Sequence, residues 1–249
     1  MPPRAQHPSG IILVDKPAGP TSFAIVAATR RRTGARTGHA GTLDPFATGL
    51  LLLLSGASTR LQGRFVGLDK RYETEIDLSA RTSTGDLEGE RIDEHEPLSV
   101  EELGAALDDL RGAVDLPIPA ASAVKIDGER AYALHRRGVA VEMPVRTMHV
   151  HELVLEACAD GIARLDLLVS SGTYIRAIAD RLGGHCVSLR RNEIGPFSVD
   201  DADPERIISP DEALARLACR SSATRPSWSN GHGPSPSAAS TASIADISP

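Results

Sequence analysis

The sequence predicts an α+β domain with a mixed, largely antiparallel sheet and flanking helices. Short strand-like runs and helix-like segments interleave without a regular order. The dipeptide Asp160-Gly161 separates two strand-like runs, 148–155 and 162–169, and therefore predicts a β-hairpin. Hairpins and irregular order favour this class over a regular βαβ repeat. With 249 residues, the chain is long enough to bury a substantial core.

Strand and helix signals alternate in the N-terminal third. Continuous apolar runs predict buried strands, and alternation of polar and apolar residues predicts a half-buried strand. The predicted elements are a strand over 10–17, a helix capped by Thr21 or Ser22 that ends near Thr33, a strand over 50–54, a short helix over 57–66 and a half-buried strand over 70–78.

The rest of the folded part begins with a polar, acidic segment, 81–96, which is expected to be a loop. A capping box formed by Ser99 and Glu102 then predicts a helix of about three turns. The remaining predicted elements are a strand over 121–126, a helix containing 132–137, the two hairpin strands, a helix opened by 170–176 that runs to about Leu182, an edge strand over 186–192 and a last short helix from Ser209.

Composition divides the chain into three parts. Residues 1–9 are expected to be a flexible N-terminus, and 10–217 one folded domain. Residues 218–249 are rich in Ser, Pro and Ala and contain too little apolar surface to offset the loss of conformational entropy. We therefore expect a disordered C-terminal tail and no second domain.

Several classes of protein are excluded by what the sequence lacks. The N-terminus has no apolar core of a signal peptide, and no apolar run approaches the roughly 20 residues of a membrane span. Cys158, Cys186 and Cys219 are isolated, which indicates free thiols in a reducing compartment, with the cytoplasm as the default. The sequence has no motif for nucleotide hydrolysis, redox chemistry or metal catalysis.

Charge is distributed unevenly along a chain whose net charge is −6. Residues 1–72 contain ten Lys or Arg and three Asp or Glu, whereas 73–115 contain three and fourteen. The basic part could contact phosphates, because such contacts depend on local charge, or it could be an ordinary solvated face. The arginines 30–32, in the last turn of a predicted helix, could likewise pair with the helix dipole or contact a nucleic-acid backbone.

The segment 38–49 (GHAGTLDPFATG) is the most informative stretch of the sequence. Its glycines permit close backbone approach, and Pro45 restricts both itself and Asp44, so the loop should be rigid. His39 and Asp44 alone are too few for a metal site. A single well-placed carboxylate can nevertheless act as a covalent nucleophile or stabilise a sugar cation.

Seven ordered segments carry a resemblance to a known family. They are VDKPAGPTS (14–22), GHAGTLDPFATG (38–49), KRY (70–72), RTSTGDLEG (81–89), SAVKIDGERAY (122–132), GTYIR (172–176) and SLRR (188–191). Together they resemble, in order, the motifs of the bacterial tRNA pseudouridine-55 synthase (TruB) family. The resemblance spans roughly residues 10–200.

This resemblance implies the pseudouridine synthase fold over 10–217 and an enzyme that isomerises uridine to pseudouridine without a cofactor or metal. The implied substrate is the uridine at position 55, in the T arm of tRNA. That base is stacked inside a folded loop, so it must be flipped out into a pocket, which costs a few kcal/mol. We expect a cytoplasmic monomer whose partner is tRNA and which binds no membrane.

The resemblance also implies roles for particular residues. Asp44 is the catalytic carboxylate, and Arg176 pairs with it, orienting it and favouring its ionised form. Tyr72 stacks on the flipped uracil and helps to remove the final proton from carbon. Four further residues are expected to bind substrate: His39 in the space that the base vacates, Tyr174 in the pocket, Leu189 as the apolar floor under the base, and Lys16.

Several alternatives stay open at this level. Asp44 could attack the base at C6, attack the sugar at C1′, or remove the C2′ proton to give a glycal. The chain could instead be a guide-dependent rRNA synthase, or a tRNA-binding folding helper with lost or reduced catalysis. The family usually has a longer spacer than 183–185 and a small C-terminal RNA-binding domain, so we expect a shifted floor near Leu189 and weaker tRNA binding.

Overall fold

One ten-stranded mixed sheet is the central element of the computed structural model, which describes residues 8–220. The strands are β1 (Gly10–Lys16), β2 (Thr37–His39), β3 (Thr48–Ser55), β4 (Lys70–Asp77), β5 (Ala80–Thr82), β6 (Arg91–Glu94), β7 (Gly112–Pro117), β8 (Lys125–Ile126), β9 (Glu129–Arg130), β10 (Val145–Ala159), β11 (Ile162–Val169), β12 (His185–Ile194), β13 (Phe197–Ser198) and β14 (Asp203–Ile208). The helices are α1 (Ser22–Thr33), α2 (Gln62–Val66), α3 (Val100–Asp109), α4 (Ala131–Arg136), α5 (Ile175–Arg181) and α6 (Pro210–Arg220), with 3-10 turns at Gly56–Leu61 and Val199–Asp201.

The main path through the sheet is β14-β1-β3-β12-β4-β11-β10-β7, with β2 beside β3 and β13 beside β12. Strands β3 and β12 are parallel, and their neighbours along the path are antiparallel. The predicted α+β class with a mixed, largely antiparallel sheet is therefore confirmed. The parallel pair lies at the centre, where Arg190 and Arg191 are paired with Thr48 and Gly49.

The five leucines of β3 show how both faces of the sheet are covered. Alternate residues of a strand point to opposite faces. Leu50, Leu52 and Leu54 lie in one core cluster with Phe65, while Leu51 and Leu53 pack with Val26 of α1 on the other side. Because helices cover both faces, the strand is apolar throughout rather than alternating.

Capping residues define the helix ends that the sequence predicted. Thr21 accepts a hydrogen bond from the backbone of Ala24 at 3.1 Å and starts α1, which ends at Gly34 in the left-handed region. The capping box of Ser99 and Glu102 is present at the start of α3. The hairpin of β10 and β11 also forms at the predicted turn.

Three predicted elements were wrong, and one strand was missed. Part of the predicted loop 81–96 is a hairpin, because β5 pairs with β6. Strand β7 was missed, and most of the predicted strand 121–126 is irregular, with only the short β8 at its end. The predicted edge strand 186–192 is β12, which lies between β3 and β4. Its sequence mixes polar and apolar residues as in an edge strand, although the polar Arg191 within it is buried.

The structured region extends slightly beyond the predicted bounds of 10–217. The carbonyl of Pro8 accepts a hydrogen bond from Ser55 at 2.9 Å, and the Ser9 hydroxyl accepts one from the backbone of Ala57 at 3.0 Å. At the other end, α6 continues to Arg220. Most of the predicted flexible N-terminus and nearly all of the predicted tail lie outside the described residues.

The short spacer 183–185 forms a tight turn between α5 and β12. Gly183 has a φ of 81°, and a Cβ on Gly184 would lie 2.4 Å from the carbonyl oxygen of Asp77. After this turn, Leu189 pairs with Thr74 of β4 and is only 7% exposed.

Two expectations about the whole chain can be compared with the structure. Cys158, Cys186 and Cys219 form no disulfide within residues 8–220. Burial raises the pKa of Cys186 to about 12, so this thiol stays protonated. Among the helices of the described region, none is long and apolar enough to cross a membrane.

Candidate active site

The loop between β2 and β3 carries Asp44 and is held at both sides by α1 and by the segment before it. The buried hydroxyl of Ser22 donates to the carbonyl of Leu43 at 2.9 Å and accepts from its backbone N–H at 2.8 Å. The backbone N–H of Gly19 donates to the carbonyl of Pro45 at 2.8 Å. The loop is therefore held in one conformation, as the sequence predicted.

Lys16 is fully buried behind this loop. Its ammonium donates to three carbonyl oxygens, those of Pro17 at 2.8 Å, Pro20 at 3.0 Å and Pro45 at 3.1 Å. Burial lowers the pKa of Lys16, the charge of Asp44 opposes that change, and Arg191 adds to it. The structure thus places Lys16 against the backbone beside Asp44 rather than on the cleft surface.

Arg191 is a buried residue of the site that the sequence reasoning did not single out. Its guanidinium donates to the carbonyls of Leu50 at 2.8 Å, Gly41 at 3.2 Å and Thr42 at 3.3 Å, and so joins both ends of the Asp44 loop. A Cβ at Gly49, where φ is +102°, would lie 2.3 Å from the Arg191 carbonyl oxygen. The second arginine of the SLRR motif was the available signal.

Asp44 and Arg176 form the central contact of the site. Arg176 Nε donates to Asp44 Oδ2 at 2.9 Å, although the two residues are 132 positions apart. The arginine side chain is 3% exposed and that of Asp44 is 32% exposed. The pair therefore leaves one carboxylate partly exposed, with its orientation set by a buried cation.

A turn between β5 and β6 holds the other side of the Arg176 guanidinium. Arg176 Nη1 donates to the carbonyl of Thr84 at 2.6 Å, and Arg176 Nη2 donates to the carbonyl of Ala121 at 2.9 Å. The buried Asp86 carboxylate lies 3.6 Å from Nη1. Every nitrogen of the guanidinium is thus engaged, which leaves little freedom for it to move away from Asp44.

The loop that carries Asp44 packs into an apolar core cluster. Tyr72 on β4 and Leu189 on β12 belong to the same core cluster as Leu43 and Ala47, which flank Asp44 in the loop. Tyr174, at the start of α5, is half-buried and packs against that cluster. Burial raises the pKa of Tyr174, and the charge of Asp44 contributes in the same direction. Tyr174 therefore lies within electrostatic range of the carboxylate.

His39 lies on β2 near the same loop. Burial lowers the pKa of His39, and the charge of Arg191 lowers it further, so the ring is neutral at pH 7. Its Nδ1 is buried and has no hydrogen-bond partner within residues 8–220. A neutral, half-buried ring is suited to packing against a base rather than to binding a phosphate.

Lys70 adds a further buried amine next to Arg191. Its ammonium donates to the carbonyls of Val66 and Leu68. Burial and the charge of Arg191 lower the pKa of Lys70 to about 8, against an opposing effect of Asp69.

We expect the folding free energy to depend on pH through Lys70. Between about pH 8 and its usual pKa of 10.5, the unfolded chain binds a proton that the folded chain does not, so the free energy of unfolding rises with pH by on the order of 3 kcal/mol. Urea unfolding at pH 7.5 and pH 10 measures this rise. Lys70→Met should remove it and Lys125→Met, at an exposed position, should not. An equal rise in wild type and Lys70→Met would contradict the prediction.

The structure therefore places five of the predicted residues in one contact and one adjoining core cluster. Asp44 and Arg176 are in contact, and Tyr72, Tyr174 and Leu189 share the adjoining cluster. In the part of the chain from 8 to 220, no group of three or more His, Cys, Asp or Glu side chains is arranged to hold a metal ion.

Comparisons with known proteins identify relatives of this sequence. The family model for the N-terminal domain of TruB family pseudouridylate synthases matches residues 29–175. The curated tRNA pseudouridine synthase B of Mycobacterium sp. (strain KMS) is 40% identical over 219 residues, which cover 83% of this chain and 74% of the relative. The protein of the same name from Leifsonia xyli subsp. xyli is 41% identical over 222 residues, with the same two coverages.

Solved structures share the fold. One chain of a Cbf5-Nop10-Gar1 complex aligns with a TM-score of 0.59 and 25% identity over 76% of this chain. The alignment covers 50% of that chain, so the present protein spans about half of its length. A chain from an H/ACA RNP with a substrate RNA aligns with a TM-score of 0.56 and 22% identity.

These results agree with one another and with the site. The family match covers the Asp44 loop, Tyr72 and Tyr174, and the curated relatives extend the similarity over most of the chain. The chain belongs to the TruB family of pseudouridylate synthases, enzymes that isomerise uridine in tRNA.

Proposed function

We propose that this chain converts the uridine at position 55, in the T arm of tRNA, into pseudouridine, with Asp44 as the catalytic carboxylate. The observation that carries the proposal is the contact between Asp44 and the buried Arg176 at 2.9 Å. It presents a single oriented carboxylate at the edge of an apolar cluster that includes Tyr72 and Leu189. A flipped pyrimidine ring needs this combination of an apolar surface and one precisely held polar group.

The reaction is an isomerisation, so no atom is gained or lost. The bond between N1 of uracil and C1′ of ribose breaks, the base turns while it stays bound, and a bond forms between C5 and C1′. The C5 proton leaves and N1 gains a proton. Asp44 supplies the charge that all three candidate routes require, whether it attacks C6, attacks C1′ or removes the C2′ proton.

The surrounding residues hold the base during its rotation. We propose that Tyr72 stacks on the uracil, Leu189 lies beneath it, and Tyr174 closes the pocket. His39, neutral and half-buried, packs in the space that the base leaves in the RNA. Lys16 acts indirectly, because its three hydrogen bonds to carbonyls support the backbone on either side of the loop.

We propose that the hydroxyl group of Tyr72 helps to remove the final proton from C5. Tyr72→Phe keeps the stacking ring and loses this function, so kcat should fall by about 10²-fold or more while KM changes little. Single-turnover assays on a T-arm hairpin measure the effect. Tyr132→Phe, at an exposed position of α4, is the matched control and should be fully active. A normal kcat for Tyr72→Phe would assign proton removal to another group.

The proposal also covers the domain bounds, the cellular compartment and the oligomeric state. We propose that residues 10–217 are the catalytic domain, that the enzyme works in the cytoplasm, and that it is a monomer. The three cysteines form no disulfide within the described part of the chain, which supports a reducing compartment. Light scattering of the purified chain measures the oligomeric state directly.

The wild-type chain provides the decisive test of the function. The purified protein is incubated with a T-arm hairpin, and pseudouridine is located by mass mapping after derivatisation. We expect one modified nucleotide, at position 55. Binding of the hairpin without any product would instead support the tRNA-binding folding helper, and modification at a different position would contradict the proposed substrate.

A further inference from the structure

Two histidines connect the hairpin of β5 and β6 to the turn between α5 and β12. His185, at the start of β12, is buried, and its Nδ1 donates to the carbonyl of Ala80 in β5 at 2.8 Å. His95 directly follows β6, and its Nε2 lies 2.8 Å from the carbonyl oxygen of Gly183 in the turn. Each histidine thus reaches across to the segment that carries the other one. We call these two contacts the histidine clasp.

The ring of His95 fits closely against the short turn 183–185. Gly183 has a φ of 81°, and a Cβ at this position would lie 3.1 Å from both Cε1 and Nε2 of the His95 ring. The backbone N–H of His95 also donates to the carbonyl of Ser79 at 2.9 Å. Backbone and ring together therefore join the open end of the hairpin to the turn.

The His95 half of the clasp requires two protons on the ring. In addition to the contact of Nε2 with Gly183, Nδ1 lies 3.0 Å from the carbonyl oxygen of Glu96. A carbonyl oxygen only accepts hydrogen bonds, and a neutral imidazole has a single N–H to donate. Both contacts are therefore hydrogen bonds only in the imidazolium form. Loss of one proton leaves a nitrogen lone pair facing an oxygen lone pair.

The groups around the ring favour this charged form. The two carbonyls raise the pKa of His95 above its usual value of 6.5, the small desolvation opposes them, Asp93 of β6 raises the pKa further, and Arg81 of β5 lowers it. Arg81 is itself paired with Asp93 at 3.0 Å and lies 3.8 Å from Asp180 of α5. Because His95 is exposed, its ring exchanges protons directly with the solvent.

The tip of the same hairpin holds Arg176. The carbonyl of Thr84 and the carboxylate of Asp86 both contact its Nη1, at 2.6 Å and 3.6 Å. Gly85 lies between them with a φ of +74°, and a Cβ there would lie 3.2 Å from the Cβ of Arg176. The tip thus packs against the start of α5, while the histidine clasp joins the open end of the hairpin to the turn after α5.

A backbone amide reports on whether the tip is attached. The N–H of Cys186 in β12 donates to the carbonyl of Gly85 at 3.0 Å, and Asp86 forms an isolated β-bridge with Cys186. This hydrogen bond breaks whenever the tip moves away from β12. Hydrogen exchange at the Cys186 amide therefore measures the opening of the hairpin without any substrate.

We propose that His95 is a positioning residue for Arg176, and that the histidine clasp holds the hairpin tip fully on Arg176 only while the His95 ring carries two protons. For turnover, the inference rests on the proposed function, because Arg176 orients Asp44. For the attachment of the hairpin, it does not. The stabilising contribution is complete below about pH 6.5 and is lost as the pH rises through the pKa of His95, so attachment and kcat should both decrease in that direction.

The first experiment measures the ionisation of His95 by NMR on protein labelled with 13C-histidine. His95→Gln lacks the ionisation and keeps one amide donor, so the signal that is missing from its spectrum belongs to His95. We expect a titration midpoint above 6.5 in wild type. Asp93→Asn should lower the midpoint, because the charge of Asp93 raises the pKa. A wild-type midpoint at or below 6.5 would overturn the proposal.

The second experiment compares amide exchange at Cys186 in wild type and His95→Gln. At about pH 6, the protection factor of the variant should be about fivefold lower, which corresponds to one lost hydrogen bond. At about pH 9, the two proteins should converge, because a neutral ring also has one donor only. His149→Gln, at an exposed position on β10, is the control and should match wild type at both pH values. Equal protection of wild type and His95→Gln at pH 6 would overturn the proposal.

The third experiment measures kcat on a T-arm hairpin for the same two proteins. The ratio of wild-type kcat to that of His95→Gln should fall from about five at pH 6 to about one at pH 9, with KM unchanged. Other ionisations are common to both proteins and cancel in the ratio. A ratio that does not change with pH would overturn the positioning role. A wild type without turnover whose amide exchange still shows the expected convergence would refute the proposed function and support the histidine clasp.

Discussion

Asp44→Asn is expected to abolish pseudouridine formation while leaving RNA binding intact. The substitution preserves the size of the side chain and its ability to accept a hydrogen bond from Arg176, but it removes the negative charge. Nucleophilic attack and proton removal both need that charge, so kcat should fall by about 10³-fold or more. Mass mapping of the hairpin measures product, and anisotropy measures binding.

The control for this variant is Asp15→Asn. Asp15 is also paired with an arginine, Arg190, at 2.9 Å, but both side chains are well exposed on the sheet surface. Exposed ion pairs contribute about 0–1 kcal/mol, so this variant should keep its stability and activity. Pseudouridine formed at a normal rate by Asp44→Asn would refute the assignment of the catalytic carboxylate.

Arg176→Met is expected to impair both folding and catalysis. The guanidinium is 3% exposed and neutralises the buried carboxylate of Asp86 as well as orienting Asp44. Removing one partner of a buried ion pair typically destabilises a protein by about 3–5 kcal/mol, because the other charge stays buried without compensation. Urea unfolding measures the loss of stability, and single-turnover assays measure the loss of activity. Arg164→Met, which breaks an exposed pair with Glu75, is the control.

A double variant separates the two roles of Arg176. Arg176→Met/Asp86→Asn removes both buried charges, so it should recover part of the stability that Arg176→Met loses. Asp44 still lacks its partner in this variant, so kcat should stay low. Recovery of activity together with stability would show that Arg176 supports the fold only and does not position the carboxylate.

The sequence predicted the framework of this protein well where local signals were strong. The apolar run 50–54, the caps at Thr21 and Ser99, and the turn at Asp160 each specify an element through nearby residues alone. The rigid Asp44 loop was predicted for the same reason. Proline restricts the backbone and glycine permits unusual backbone conformations, and both effects are local. These elements depend little on contacts that are distant in sequence.

The errors occur where long-range pairing decides the structure. The acidic segment 81–96 has the composition of a loop, yet β5 and β6 pair within it and its turn holds Arg176. Strand β12 looks like an edge strand but lies at the sheet centre, since the buried guanidinium of Arg191 is satisfied by carbonyls of the Asp44 loop. A polar side chain is expected to be exposed. It is buried only where the fold supplies hydrogen-bond partners, and the sequence does not show those partners.

By itself, the sequence predicted the fold class, the positions of most elements and, through seven ordered motifs, a resemblance to a family that implied the pairing of Arg176 with Asp44, which the structure shows. The tertiary structure alone decided where two further cations lie. Lys16 and Arg191 are buried behind the Asp44 loop and bind backbone carbonyls. The physical reason is that a charged side chain becomes buried only where folding supplies enough acceptors, and these acceptors come from segments that are far apart in the chain.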